Sequence, residues 1–165
     1  MSYVELHACS AFSFLRGGSF PEQLAEVAAE LEMPAMALLD RNGVYGAQRF
    51  SVAAREHGVR PIIGAELSME DFSILPVLVE NRTGYKNLCE LLTQAHLRSE
   101  KGKCAVKWDE LPQFTEGLVA LFNATFFKNG GTTSVSSHYS SDTTERVPPI
   151  SNLIHVFGQI GRAHV

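Results

Sequence analysis

Four residues near the front of this chain have side chains suited to gripping a cation or moving a proton. They are His7, Cys9, Asp40 and Glu66. His7 and Cys9 stand two apart in Glu5-Leu6-His7-Ala8-Cys9-Ser10. On a strand that spacing projects both side chains to one face. An imidazole and a thiol side by side can hold a borderline ion such as Zn²⁺. The plainer reading of the pair is a hydrogen-bonded histidine beside a buried thiol. Asp40 follows the apolar run Ala35-Met36-Ala37-Leu38-Leu39 and precedes Arg41-Asn42-Gly43. It therefore lies at the C-terminal end of an expected strand, where α/β folds place their ligands. It serves equally well as a turn carboxylate capping the next helix. Glu66 ends the stretch Pro61-Ile62-Ile63-Gly64-Ala65. A carboxylate in such apolar company needs a metal, an arginine or hydrogen bonds, and Arg16 and Arg41 are candidate partners. Convergence of the four at one sheet edge would make a small metal site, with fewer His and carboxylate ligands than phosphoester hydrolysis usually uses.

The elements that must position these residues can be read from pattern. Tyr3 to Ala8 suits a short strand. A helix opens near Ser19, with Glu22 three residues on as a capping box and Pro21 in the first turn. Leu24, Val27, Ala28 and Leu31 share one face of it, and Pro34 stops it. The apolar run 35–39 reads as a strand buried on both faces. A second helix is expected from about Val44 to His57, halted by Gly58. Further strands are expected at Pro61–Leu67, Phe72–Val79 and from Gly117, with Pro76 marking an edge or bulge. Thr83–Arg98 is the clearest helix, with a stripe of Tyr85, Leu88, Cys89, Leu92, Ala95 and His96. The order β-α-β-α-β-β-α-β predicts an α/β layer or barrel with largely parallel strands. His57, His96 and the histidines beyond residue 121 read as surface or packing residues, and Asn81-Arg82-Thr83-Gly84-Tyr85 as a helix-start turn.

Composition narrows the class. Of 165 residues, 45% are hydrophobic, and 14 Lys+Arg against 18 Asp+Glu give a net charge of −4. That suits one globular domain and opposes nucleic-acid binding by bulk charge. No apolar run approaches the ~20 residues that span a bilayer. Met1–His7 lacks the basic start and apolar core of a secretory signal. Cys9, Cys89 and Cys104 are odd in number and far apart, which argues for reduced thiols and a cytoplasmic protein. Composition changes sharply after Leu121. Nine of the thirteen residues from Thr132 to Thr144 are Ser or Thr. The expectation is a domain over 1–120, and over 121–165 a disordered tail produced by a frameshift or assembly artefact.

Several segments together resemble one family. Tyr3-Val4-Glu5-Leu6-His7-Ala8-Cys9-Ser10-Ala11-Phe12-Ser13-Phe14-Leu15-Arg16-Gly17 resembles the opening of bacterial DNA polymerase III alpha subunits, and most of all the error-prone type. Pro34 to Gly46, Ile63-Gly64-Ala65-Glu66 and Leu78 to Leu88 continue the resemblance in order. That opening is a PHP domain, a distorted β/α barrel whose active members hold metal ions and hydrolyse phosphoesters. The resemblance implies a truncated barrel of this type here. It also implies departures. The family's H-x-H reads His7-Ala8-Cys9, a later acidic ligand falls at Arg16, and the T-D-H motif reads Leu39-Asp40-Arg41. His7, Cys9, Asp40 and Glu66 are then a vestigial metal set with no catalytic residue. The two guanidiniums would plug it by pairing with Asp40 and Glu66.

On this resemblance the parent protein is a DNA-directed DNA polymerase, a nucleotidyltransferase of replication and damage-tolerant repair synthesis. This fragment would be inactive alone. DNA and deoxynucleotides would bind through absent polymerase domains, with magnesium serving the parent. A sliding clamp or mutagenesis proteins are candidate partners, and no membrane is involved. No cofactor is expected here, with zinc or manganese the ions for a partly retained site. The competing readings are a stand-alone PHP phosphoesterase or 3′–5′ exonuclease, and a non-catalytic interaction scaffold.

Overall fold

A computed structural model describes residues 3–121, and the Ser/Thr-rich segment lies outside the described residues. The described chain runs β1 (Glu5–Ala8), α1 (Pro21–Glu30), β2 (Ala35–Arg41), α2 (Ala47–Glu56), β3 (Arg60–Ser68), β4 (Ile74–Val79), α3 (Arg82–Arg98), a short 3-10 turn (Leu111–Gln113) and β5 (Leu118–Ala120). It is a mixed α/β fold. One five-stranded sheet has the order β1-β2-β3-β4-β5.

The expectation of largely parallel strands needs correction. β1-β2 and β2-β3 are parallel, but β3-β4 and β4-β5 are antiparallel. The short link between β3 and β4 can only fold back, because a parallel return needs a crossover of a dozen or more residues. After α3 the chain runs alongside the end of β3, where Val106 N donates to Ser68 O and Glu70 N to Val106 O. This second traverse brings the chain into β5 from the opposite end. Pro76 does not mark an edge, since β4 lies between β3 and β5. Pro76 O accepts from Leu121 N, so its missing N–H falls on the side where β5 ends.

All three helices cover one sheet face. Met36, Leu38 and Ile63 pack with Ala25, Ala28, Phe50, Ala53 and Ala54 of α1 and α2. Ala65, Leu67, Leu75 and Val77 pack with Leu88, Leu91, Leu92 and Ala95 of α3. The other face carries Ala37, Leu39 and Leu78, with Ile62 and Leu121 beside them.

Helix details also differ from the pattern. Phe20, not Ser19, caps α1, and Gln23 Oε1 accepts from Phe20 N at 2.9 Å. Glu22 instead pairs with Arg49 of α2. The buried face of α1 is Pro21, Ala25 and Ala28, while Val27 and Leu31 are exposed. Small alanines let α1 approach its neighbours closely, and close packing displaces the larger side chains outward. In α3 the buried stripe includes Gly84 and Leu91, and Tyr85 is 42% exposed. Asn81 caps α3 through Gly84 N at 3.0 Å.

Candidate functional site

β2 extends two residues past the apolar run, to Arg41. Asp40 lies opposite Ala65 and Arg41 opposite Glu66. Side chains alternate along a strand, so Asp40 shares the helical face with Ala65 while Arg41 and Glu66 share the other. The sequence-predicted cluster is thereby split.

Glu66, only 9% exposed, is the centre of the helix-free face. His7 Nε2 lies 2.7 Å from its Oε1. Arg41 Nη1 lies 3.2 Å and Arg16 Nη1 3.4 Å from its Oε2. Burial opposes charge on Glu66, but the His7 hydrogen bond and the positive charges of His7, Arg41 and Arg16 outweigh it. The carboxyl therefore ionises below the usual carboxylate range. With Glu66 ionised, His7 Nε2 is the donor in their contact. Arg41 is oriented further by Nε–H donation to Ser68 Oγ at 2.9 Å. Asn42 closes this corner with φ +52. Its Nδ2 donates to Ser68 Oγ and its Oδ1 accepts from Ser68 N. His96 Nε2 meets Asn42 O at 2.8 Å, so that histidine packs against the turn.

Asp40 is 1% exposed and faces the other way. Its Oδ1 accepts from Ser10 N, Ser10 Oγ and Ser13 Oγ at 2.8–2.9 Å. Its Oδ2 accepts from Gly46 N at 3.0 Å, ahead of α2. The expected pairing of Asp40 with a guanidinium is replaced by these four neutral donors. Asp40 thus ties the β1-α1 loop to the start of α2, which is the capping alternative. The loop closes tightly, with Arg16 N and Gly17 N both donating to Ser13 O. A Cβ on Gly17 would stand 2.1 Å from Ser10 O, so only glycine fits there.

Cys9 is half-buried and near both carboxylates. Burial, then the negative charges of Glu66 and Asp40, push its thiol upward in pKa. His7 and Glu66 are therefore brought into contact, Cys9 lies close by, and Asp40 is turned away. Among the described residues no three His, Cys, Asp or Glu side chains are grouped to hold a metal ion. Ser10, Ser13, Asn42 and Ser68 were not singled out from sequence. Ser10 and Ser13 directly after a strand were the available signal, because short hydroxyl residues favour such turns.

A family model for the PHP domain matches residues 5–155. The chain belongs to the PHP-domain family. This PHP domain is 39% identical over 122 residues to error-prone DNA polymerase 1 of Agrobacterium fabrum, covering 74% of this chain and 11% of that protein. It is 43% identical over 116 residues to an error-prone DNA polymerase of Corynebacterium jeikeium, covering 69% and 10%. The chain thus spans about a tenth of the length of these curated relatives. Among solved structures, a Bifidobacterium adolescentis protein described as a metal-dependent phosphoesterase aligns with a TM-score of 0.49 at 18% identity, over 58% of this chain and 34% of that one. A Chromobacterium violaceum amidohydrolase aligns with a TM-score of 0.47 at 22% identity, over 57% and 33%. No helix among the described residues is long and apolar enough to cross a membrane.

Proposed function

We propose that this PHP domain is the N-terminal part of an error-prone-type DNA polymerase III alpha subunit. The parent carries out DNA-directed DNA synthesis across damaged templates through regions outside this chain. The domain's own metal site is degenerate, and its role is structural.

The observation that carries the second half of the proposal is the occupation of Glu66. Its carboxylate already accepts from His7 and faces the guanidiniums of Arg16 and Arg41. A divalent ion seated there would sit a few ångströms from two fixed positive charges. At ~4 Å and an effective dielectric near 20, each pair of unit charges repels by about 4 kcal/mol, and a divalent ion doubles that. The remaining donors are the half-buried Cys9 thiol and a carboxylate on the other face, so the donors do not converge on one point as zinc or manganese requires. The identity to error-prone polymerases, 39–43% over this region, supports the first half.

The test uses the longest natural chain containing this sequence. We expect primer extension on a damaged template. We also expect well under one zinc or manganese per chain by elemental analysis, and no release of nucleotides from a 3′ end that depends on Glu66. One tightly bound ion per chain, with hydrolysis abolished by Glu66→Gln, would instead establish the phosphoesterase or exonuclease reading.

A further inference from the structure

At the start of β3 the sheet has a gap. The last β3-β4 pair joins Gly64 to Leu78, and β4 ends at Val79 before the chain turns into α3. Arg60–Ile63 therefore run beside β2 on one side and lie past the end of β4 on the other. The result is a cleft of about 660 Å³, within the range of small-molecule sites. Ile62, Ile63 and Val79 give it half-buried apolar surface, and Tyr85 of α3 adds an aromatic ring. Its charged members are Arg60, Arg82 and Glu80, all exposed. Among the described residues, ion pairs engage Arg16, Arg41, Arg49 and Arg98, and neither Arg60 nor Arg82. The cleft is separate from the Glu66 corner. Arg60 opens β3 and Glu66 lies near its other end, about 20 Å away at the rise of a strand.

We propose that this cleft binds a small planar carboxylic acid, its carboxylate on Arg60 and Arg82 and its apolar body on Ile62, Ile63 and Val79. Charge selects the head group. Two guanidiniums against the Glu80 carboxylate leave a single positive charge, which one carboxylate neutralises. A phosphate dianion would overshoot that balance, and a polyanion would meet Glu80. The guanidinium fork also matches a planar carboxylate in two parallel hydrogen bonds. The apolar surface selects the body, because a bare inorganic anion would leave Ile62, Ile63 and Val79 uncovered. An extended peptide is disfavoured as the occupant. Pro61 has no N–H to offer on this stretch of β3, which makes the open edge a poor template for an added strand. The site does not depend on the polymerase reading, which assigns nothing to the start of β3.

The experiment titrates the ¹⁵N-labelled 165-residue chain with 2-naphthoate and follows amide shifts. Acetate and the neutral 2-naphthylmethanol serve as comparisons. The expected result is saturable binding at about a millimolar, the affinity a ligand of this size reaches at ordinary efficiency. The shifts should centre on residues 60–63 and 79–85. Acetate lacks the body and naphthylmethanol the charge, so both should bind at least several-fold more weakly. Arg60→Gln and Arg82→Gln alter exposed side chains and should leave the melting temperature in place. Each should weaken naphthoate roughly fivefold, the upper end for an exposed ion pair. The double variant should lose saturation. Equal binding of naphthoate and naphthylmethanol, an unchanged affinity in the double variant, or shifts centred elsewhere would each overturn the proposal. So would a titration of the folded chain that never saturates.

Discussion

Asp40 and Glu66 are the two buried carboxylates of the described residues, and they are stabilised in different ways. Asp40 is held by four neutral donors, Glu66 by positive charge. Asp40→Asn would set an amide N–H against one of those donors. Hydrogen bonds to a charged acceptor contribute about 1.5–3 kcal/mol each, so a loss of roughly 2–4 kcal/mol in urea unfolding is expected. A loss under about 1 kcal/mol would contradict the tie seen here. Glu66 makes stability pH-dependent. Its folded pKa lies below the unfolded one, so its contribution is complete above the unfolded carboxylate range. It is lost as pH falls through the folded value. The stability difference between wild type and Glu66→Gln should accordingly be largest near neutral pH and shrink on acidification. A difference that stays constant across an acid titration of unfolding midpoints would rule this out. The sequence offers His7, Cys9, Asp40 and Glu66 as one set with Arg16 and Arg41 as partners of the two carboxylates, and the structure joins His7, Arg16 and Arg41 to Glu66. It did not reveal that Asp40 points away, because a strand taken to end at Leu39 leaves the side of the next residue open. A shift of one residue exchanges the faces.

The order of strands and helices was readable because apolar runs and helical stripes are local signals. Strand direction was not. The reversal at β4 follows from a link after β3 too short for a crossover, and the direction of β5 depends on the return path through residues 99–117, whose pairing with Ser68 and Glu70 is a tertiary event. The buried face of α1 differs from the pattern because small residues allow close approach where large ones are expected, while in α3 Leu88, Leu92 and Ala95 are buried as expected and Gly84 and Leu91 join them. Gly84 in α3 is the sharpest case. A Cβ there would lie 1.8 Å from Gly117 O, and Gly117 itself has φ +72. In an isolated helix Gly→Ala gains about 1 kcal/mol. Here Gly84→Ala must push apart two backbone segments, and overpacking of that kind costs about 1–3 kcal/mol. Net destabilisation is therefore expected in thermal melts, with Gly18→Ala as the control. Gly18 has open space around its Cβ position, so that change should leave the melting temperature equal or slightly higher. A stabilised Gly84→Ala variant would show that α3 is not seated against the β5 turn as described.

At the scale of the whole chain, electrostatics separates what this domain does from what its parent would do. Affinity for nucleic acid comes chiefly from lysines and arginines that neutralise phosphates and release the counterions condensed on them. This chain has 14 of them against 18 acids. Several of the arginines are also engaged with carboxylates: Arg16 and Arg41 with Glu66, Arg49 with Glu22, and Arg98 with Glu110. A phosphate approaching the Glu66 corner meets guanidiniums whose charge is already partly neutralised. Near the strand ends it also meets the apolar tips Phe14 and Leu15 rather than a basic groove. A domain that supplied affinity for nucleic acid would need the reverse balance. The expected outcome is that the 165-residue chain, titrated with single- and double-stranded oligonucleotides at near-physiological salt, gives no change in fluorescence anisotropy at micromolar protein. Lowering the salt should not rescue binding, because the slope of affinity against salt follows the number of phosphates neutralised, here near zero. Binding that strengthens steeply at low salt would place a phosphate-tracking surface on this domain. It would also assign the domain a direct part in holding DNA.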